Sequence, residues 1–379
     1  MASIPRGMVS KHHLSRFEYD INRRRLDERR HHKAAMSPGP LALTLAQAIR
    51  FRLEKRGIPT TDLLQSTPLI APDLFSNDYL SLTYDPALHA AALKKLSEAS
   101  LILGSGGSRL LNGNTAGHVA LEGRMKDLFG TPAALLCNSG YDANIVFWRS
   151  IPQTGDIVVF DELVHASTRD GIAECRAKGA LYSFEHNSVT SFRECVARAL
   201  ASHPAVSQGK ATLFVALESL YSMDGDFAPL HELVQVLDEL VPPDCSHIVV
   251  DEAHSTGICG PGGRGLVAAL GLTARVDTVI HTFGKARAAI GGKRHVPYIQ
   301  KVALRSSVLI LAAIVTSPIV RQYIITYGRA FIFSTSIPGA LVSILEASFD
   351  HIESSAGDEV CCGFPLRASA AVTNIKSLC

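Results

Sequence analysis

The run His247-Ile248-Val249-Val250-Asp251-Glu252-Ala253-His254 ends an apolar stretch on a carboxylate, then adds a second acid and an imidazole. An acid delivered that way can hold a metal ion, face a cationic ring or merely cap the next helix. The letters Asp-Glu-Ala-His suggest a nucleotide-driven helicase, but that chemistry needs a GxxxxGK[ST] phosphate loop. None is present, and Gly284-Lys285-Ala286 lacks both the upstream glycine pattern and the hydroxyl. Further on, Thr282-Phe283-Gly284-Lys285 closes another apolar run. A lysine at a tight strand exit can act as a Schiff-base nucleophile if its ammonium loses its proton readily. Alone, such a lysine is more often a solvated surface group. Paired with Asp251 it gains a specific chemistry, because pyridoxal phosphate needs a lysine for its imine and a carboxylate against its pyridine nitrogen.

Two further segments suit the same cofactor. Asn138-Ser139-Gly140-Tyr141 lies between a strand and a helix. Small residues there let backbone N–H groups and the helix N-terminus face a phosphate, and Tyr141 can cover one side of a ring. His165 sits in the polar loop Asp161-Glu162-Leu163-Val164-His165-Ala166-Ser167 and can stack on an aromatic cofactor. The strip Leu103-Gly104-Ser105-Gly106-Gly107-Ser108-Arg109 lacks the last glycine of GxGxxG and follows no strand-to-helix start. It reads as flexible backbone near a substrate rather than as a dinucleotide loop.

These residues need a scaffold, and the sequence supplies an α/β pattern. Apolar runs at 133–137, 157–160, 180–184, 212–217, 247–250 and 278–281 read as strands. Helical spacing recurs at 87–96, 118–129, 192–200 and 230–240, and a first helix is expected over 41–49. Strands this uniformly apolar are buried on both faces, as in a parallel sheet covered by helices. Polar residues follow the strand ends repeatedly, at Asn138, Asp161, Glu218, Asp251 and Thr282. Ligands of open α/β sheets bind outside the carboxyl ends of strands, so these positions converge on one site.

The chain has 379 residues and a formal charge of +2, which gives no electrostatic case for nucleic acid. Eight cysteines form no CxxC pair and no zinc-spaced cluster, so free thiols and no metal are expected. The longest apolar run, 308–315, is far shorter than the roughly 20 residues that span a bilayer. A cytoplasmic location is expected, with mitochondrial and peroxisomal readings left open; the start is basic, while the final Ser377-Leu378-Cys379 is not the usual peroxisomal tripeptide.

As an ordered set, these segments resemble the α-oxoamine synthases, the class-II pyridoxal-phosphate-dependent acyl-CoA transferases. The resemblance runs through Ser76-Asn77-Asp78-Tyr79-Leu80, Gly106-Gly107-Ser108-Arg109, His118 to Glu122, Asn138 to Asn144, Asp161 to Ser167, Glu218 to Asp226, Val250 to Gly257 and Thr282 to Ala286, and again through Ser317 to Pro338. It implies a fold-type I, aspartate-aminotransferase-like α/β fold with a mostly parallel seven-stranded sheet. By the same likeness, 1–75 is an amino-terminal extension and helical segment. Residues 76–316 are the large cofactor-binding domain, and 317–379 the remnant of a small, truncated carboxy-terminal lobe. Lys285 would form the imine and serve as the base at the amino-acid Cα. Asp251 would face the pyridine nitrogen, His165 would stack on the ring, and His254 and Ser222 would stand by its phenolic oxygen. Thr282 with Ser139, Gly140 and Tyr141 would hold the phosphate, and Asn77 would meet substrate.

The implied reaction joins an amino acid to an acyl-CoA with loss of CO2, on a homodimer. The likeness is greatest to the biotin-pathway member that uses L-alanine and a pimeloyl thioester. Alternatives are a glycine C-acetyltransferase-like enzyme, a secondary-metabolite synthase, an aminotransferase of the same fold or an inactive partner subunit. The sequence departs from the family at Arg287-Ala288-Ala289, over 293–311, and in the carboxy-terminal lobe, where Arg367 is a weak candidate for the substrate carboxylate.

Overall fold

The computed structural model describes residues 76–289 and 311–354, together with single helical positions between 44 and 51. The 293–310 part of the unaligned segment, Arg367, and Cys361, Cys362 and Cys379 lie outside the described residues. Met1–Pro72 and Asp73–Cys379 are separate compact units. In the first, the described positions Thr44, Leu45, Gln47, Ala48 and Phe51 are helical and exposed. The second carries the sheet.

In chain order the second unit runs through α1 (Pro86–Glu98), α2 (Ala116–Phe129), β1 (Ala133–Cys137), α3 (Gly140–Ser150), β2 (Ile157–Asp161), α4 (Ala166–Ala173) and β3 (Leu181–Phe184). It continues with α5 (Val189–Ser202), α6 (Pro204–Ser207), β4 (Leu213–Glu218), α7 (Leu230–Leu240), β5 (Ser246–Asp251), α8 (Leu266–Ala269), β6 (Thr278–Thr282) and β7 (Ala312–Thr316). Three helices follow: α9 (Pro318–Tyr327), α10 (Arg329–Phe333) and α11 (Gly339–Ile352). The seven strands lie in the order β1-β7-β6-β5-β4-β2-β3. Only β7 runs against its neighbours, β1 and β6. The fold is therefore the expected fold-type I arrangement. The six runs read as strands all form strands, with no end shifted by more than one residue. The seventh, β7, occupies the end of the apolar run at 308–315.

Alternation within each strand feeds two cores, one on each face of the sheet. Leu213, Val215 and Leu217 of β4 join a core with α2, α5 and α7, whereas Phe214 and Ala216 join one built on α3 and α9. Helix α7 shows why these segments coil: Leu230, Leu233, Val234 and Leu237 form one buried stripe at helical spacing. Helices α2, α3, α5 and α9 start on hydroxyl caps, Thr115, Ser139, Ser188 and Ser317, each accepting an amide of the first turn. Helix α11 packs against α1 through Ala347, Ile352 and Leu88. Among the described residues no helix is long and apolar enough to cross a membrane.

Because β2, β4, β5 and β6 are parallel, their carboxyl ends lie along one edge. The β4–β5 register pairs Glu218 directly with Asp251.

The glycine-rich strip is not flexible backbone. Ser105 Oγ donates to the Ser336 carbonyl at 2.9 Å, and Ser336 N–H donates to the Gly107 carbonyl at 2.9 Å. A Cβ on Gly113 would stand 1.9 Å from the Gly107 oxygen, so the strip is packed tightly against the Gly113 backbone and the segment before α11.

Candidate active site

Lys285 follows β6 by three residues and turns back toward the edge where β5 ends. Its Nζ lies 2.8 Å from Nε2 of His254, which belongs to the turn after β5. Burial pushes the Lys285 ammonium pKa down, against the upward pull of the Asp251 and Glu218 carboxylates. Burial, the Lys285 charge and the nearby His165 hold His254 down at about 3, so its ring is neutral. A buried amine with a lowered pKa is what imine chemistry needs.

Asp251 is the last residue of β5 and is buried. Asn144 Nδ2 donates to its Oδ2 at 2.7 Å, and the Ala253 amide donates to its Oδ1 at 2.8 Å. Asn144 is itself fixed by Thr168, whose hydroxyl donates to Asn144 Oδ1 at 3.0 Å. Helices α3 and α4 thus clamp the carboxylate from behind.

The amino end of α3 meets the exit of β6. A Cβ on Gly140 would stand 2.6 Å from Cγ2 of Thr282, so only glycine lets these segments approach so closely. Ser139 caps α3 through the Asp142 amide at 3.0 Å, and the Thr282 hydroxyl donates to the Ala253 carbonyl at 3.2 Å. The first amides of a helix lack intrahelical acceptors and can face an anion.

The other expected residues take varied positions. His165 caps α4, with Nδ1 2.7 Å from Ser167 Oγ, and its amide donates to Glu218 Oε1 at 2.5 Å. Its ring is close enough to influence His254 electrostatically. Asn77 is joined to the site through Tyr79, whose hydroxyl donates to Asn77 Oδ1 at 3.2 Å and whose oxygen lies 2.7 Å from His254 Nδ1. Tyr141 is exposed and its hydroxyl donates to Asp170. Ser222 is exposed and makes no hydrogen bond among the described residues.

Glu218, Asn144 and Tyr79 were given no role by sequence reasoning. Burial, then the Asp251 charge, push the Glu218 carboxyl up to about 8, against the opposing His165 amide. Its pairing with Asp251 across the ladder was the missing signal. Asn144 lies one helical turn after Gly140, a spacing that puts both on one face. The only group among the described residues with metal-ligand geometry is His186, Asp224 and Asp226. His186 already bridges Asp161 at 2.9 Å and Asp226 at 3.1 Å, which ties the turn after β3 to the hairpin after β4.

The donor set fits pyridoxal phosphate: an amine poised to lose its proton, a carboxylate held by two donors, and a helix start packed on a threonine. The family described as aminotransferase class I and II matches residues 72–359. The 8-amino-7-oxononanoate synthase of Emericella nidulans is 38% identical over 83% of this chain and 71% of its own length. The aminoacyl transferase sphA of Aspergillus fumigatus is 34% identical over 76% of this chain, which spans 57% of that relative. The solved serine palmitoyltransferase of Sphingomonas wittichii superposes with a TM-score of 0.67 at 29% identity, covering 85% of this chain and 75% of that one. The matched span contains the whole sheet and every side chain of the site, and the chain belongs to the α-oxoamine synthase family of fold-type I, pyridoxal-phosphate-dependent enzymes.

Proposed function

We propose that the chain condenses L-alanine with pimeloyl-CoA, releasing CoA and CO2 and giving the α-amino ketone of the biotin pathway, as an 8-amino-7-oxononanoate synthase does. The observation that carries the reading is the 2.8 Å contact of Lys285 Nζ with His254 Nε2 beside the clamped Asp251. Pyridoxal phosphate, when bound, supplies an electron sink that serves both loss of the α proton and loss of CO2. The chain's own residues do the rest. Lys285 would hold the cofactor, and its amine would be the base that takes a proton from the amino-acid α carbon and returns one there. Asp251 keeps the ring nitrogen protonated, and Asn144 and the Ala253 amide keep that carboxylate aimed. Gly140, Ser139 and Thr282 would hold the phosphate, and His165 would cover the ring.

The choice of L-alanine and a pimeloyl thioester is supported by the likeness to the Emericella enzyme. The likeness to an aminoacyl transferase supports a second reading, a secondary-metabolite synthase of the same chemistry. A homodimer completes the proposal, as do the boundaries 1–75, 76–316 and 317–379.

The test is borohydride reduction of the cofactor-treated chain followed by peptide mass analysis. The label is expected on Lys285 and absent from Lys285→Ala. Absence of any label on the unaltered chain would refute an enzymatic role and leave an inactive partner subunit. CoA thiol release from pimeloyl-CoA with L-alanine, and not with glycine, fixes the substrates. Labelled protein that releases no thiol but exchanges amino groups would instead be an aminotransferase.

A further inference from the structure

Tyr79 reaches the site from the segment before α1, and the proposed chemistry gives it no task. Its phenol stands between Asn77 Oδ1 at 3.2 Å and His254 Nδ1 at 2.7 Å. Across the imidazole, Nε2 meets Lys285 Nζ at 2.8 Å. A phenol has one hydrogen, and an amide oxygen can only accept. With that hydrogen directed to Asn77, the phenol oxygen must accept from His254, so Nδ1 carries the ring hydrogen. A neutral imidazole has only one such hydrogen, which leaves Nε2 with a lone pair. An ammonium has only donors, so the Lys285 contact runs from Nζ–H to Nε2. Lys285, His254, Tyr79 and Asn77 then each satisfy the next in a single direction, with no clash of hydrogens.

The ring's neutrality is secured by its surroundings: His254 is buried, and the titratable groups that face it are Lys285, His165 and the Tyr79 phenol. Tyr79 itself packs on the main core, so its phenol is held from behind.

We infer that Tyr79 is a positioning residue: its phenol fixes His254 as the Nδ1–H tautomer and so presents an acceptor to Lys285. The tautomer belongs to the chain itself, while its value for the reaction rests on the proposed role of Lys285. Without the phenol nothing selects the tautomer. An Nε2–H ring would direct a hydrogen at the ammonium, and Lys285 would lose its acceptor while still facing Asp251 and Glu218.

The test uses the full chain without cofactor, with its histidines labelled in nitrogen-15 and His254 assigned by its absence from His254→Asn. The expected spectrum shows His254 as the Nδ1–H form, and Tyr79→Phe loses that form or mixes it with Nε2–H. Phenylalanine keeps the ring that packs on the core, so folding is preserved. The pH profile of Lys285 labelling by an amine-reactive probe should move to lower pH in Tyr79→Phe, because the ammonium has lost an acceptor. An Nε2–H ring in the unaltered chain would overturn the inference without any variant. An unchanged tautomer and labelling profile in Tyr79→Phe would overturn it as well. Failure of cofactor to label Lys285, with the tautomer as expected, would sink the proposed function and leave this inference standing.

Discussion

Glu252 provides a sharp test of how this edge of the sheet handles charge. The side chain follows Asp251, is fully buried, and accepts the Val267 amide at Oε1, 2.8 Å away. Its Oε2 has no hydrogen-bond partner and lies 3.7 Å from His281 Nδ1. Burial, only partly offset by the Val267 and Leu266 amides, pushes the carboxyl from 4.5 up to about 8. The folded chain therefore keeps a proton that the unfolded chain releases above its ordinary pKa. With fewer protons bound in the unfolded state, stability falls as pH rises, from the ordinary value to the folded one. At pH 7 the cost is about 3 kcal/mol, and near pH 5 it is under about 1 kcal/mol. Glu252→Gln keeps the shape and the acceptor but removes the ionisation. Urea unfolding of both chains without cofactor, at several pH values, should show the variant gaining about 2 to 3 kcal/mol on the parent between pH 5 and 7. Glu218 titrates in the same direction in both chains, so it cancels in the difference. A difference that stays flat across that range would refute the claim that Glu252 holds its proton.

Two other substitutions probe the supports of the site. Gly265→Ala adds a Cβ 1.8 Å from Glu252 Oε2, at a backbone with φ +100° that side chains rarely adopt. It should lower unfolding stability by about 3 kcal/mol, read from the urea midpoint. Asn144→Leu removes a 2.7 Å donor from a buried carboxylate and leaves the Thr168 hydroxyl without its acceptor. It should cost about 2 kcal/mol of stability and weaken cofactor retention, measured by absorbance titration. Retention equal to the parent's would show that Asp251 does not depend on that clamp.

Much of this arrangement is legible in the sequence because strand ends are marked twice, by an apolar run and by the polar residue that closes it. Asp161, Asp251 and Thr282 are readable in that way, and Lys285 follows from its place after β6. What escaped depends on partners that local pattern does not reveal. Glu218 looks like any strand-end acid until the register sets it beside Asp251. Helix α11 is nearly buried all round, packing on α1, α2 and the core, so it has little amphipathic contrast to announce it. Strand β7 is hidden for a related reason: all five residues are buried, within an apolar run that also extends before it. The glycine-rich strip suggested flexibility because glycine is permissive. Its glycines instead allow the backbone at Gly113 to touch that at Gly107, which requires the missing Cβ atoms.

The same edge explains how a lysine can lose its proton among acids. Asp161, Glu218 and Asp251 end three neighbouring strands, and Glu252 follows immediately. Four ionised carboxylates in so small a buried space would repel one another and bind any ammonium tightly. They differ in their partners. Asp161 accepts the Leu163 and Asn187 amides and faces His186, while Asp251 accepts from Asn144 and Ala253. Burial pushes the Glu218 and Glu252 carboxyls up to about 8. At Lys285 burial outweighs the attraction of both Asp251 and Glu218, so the ammonium pKa falls. The amine needed for the imine is thus not locked as an ammonium, although two acids face it.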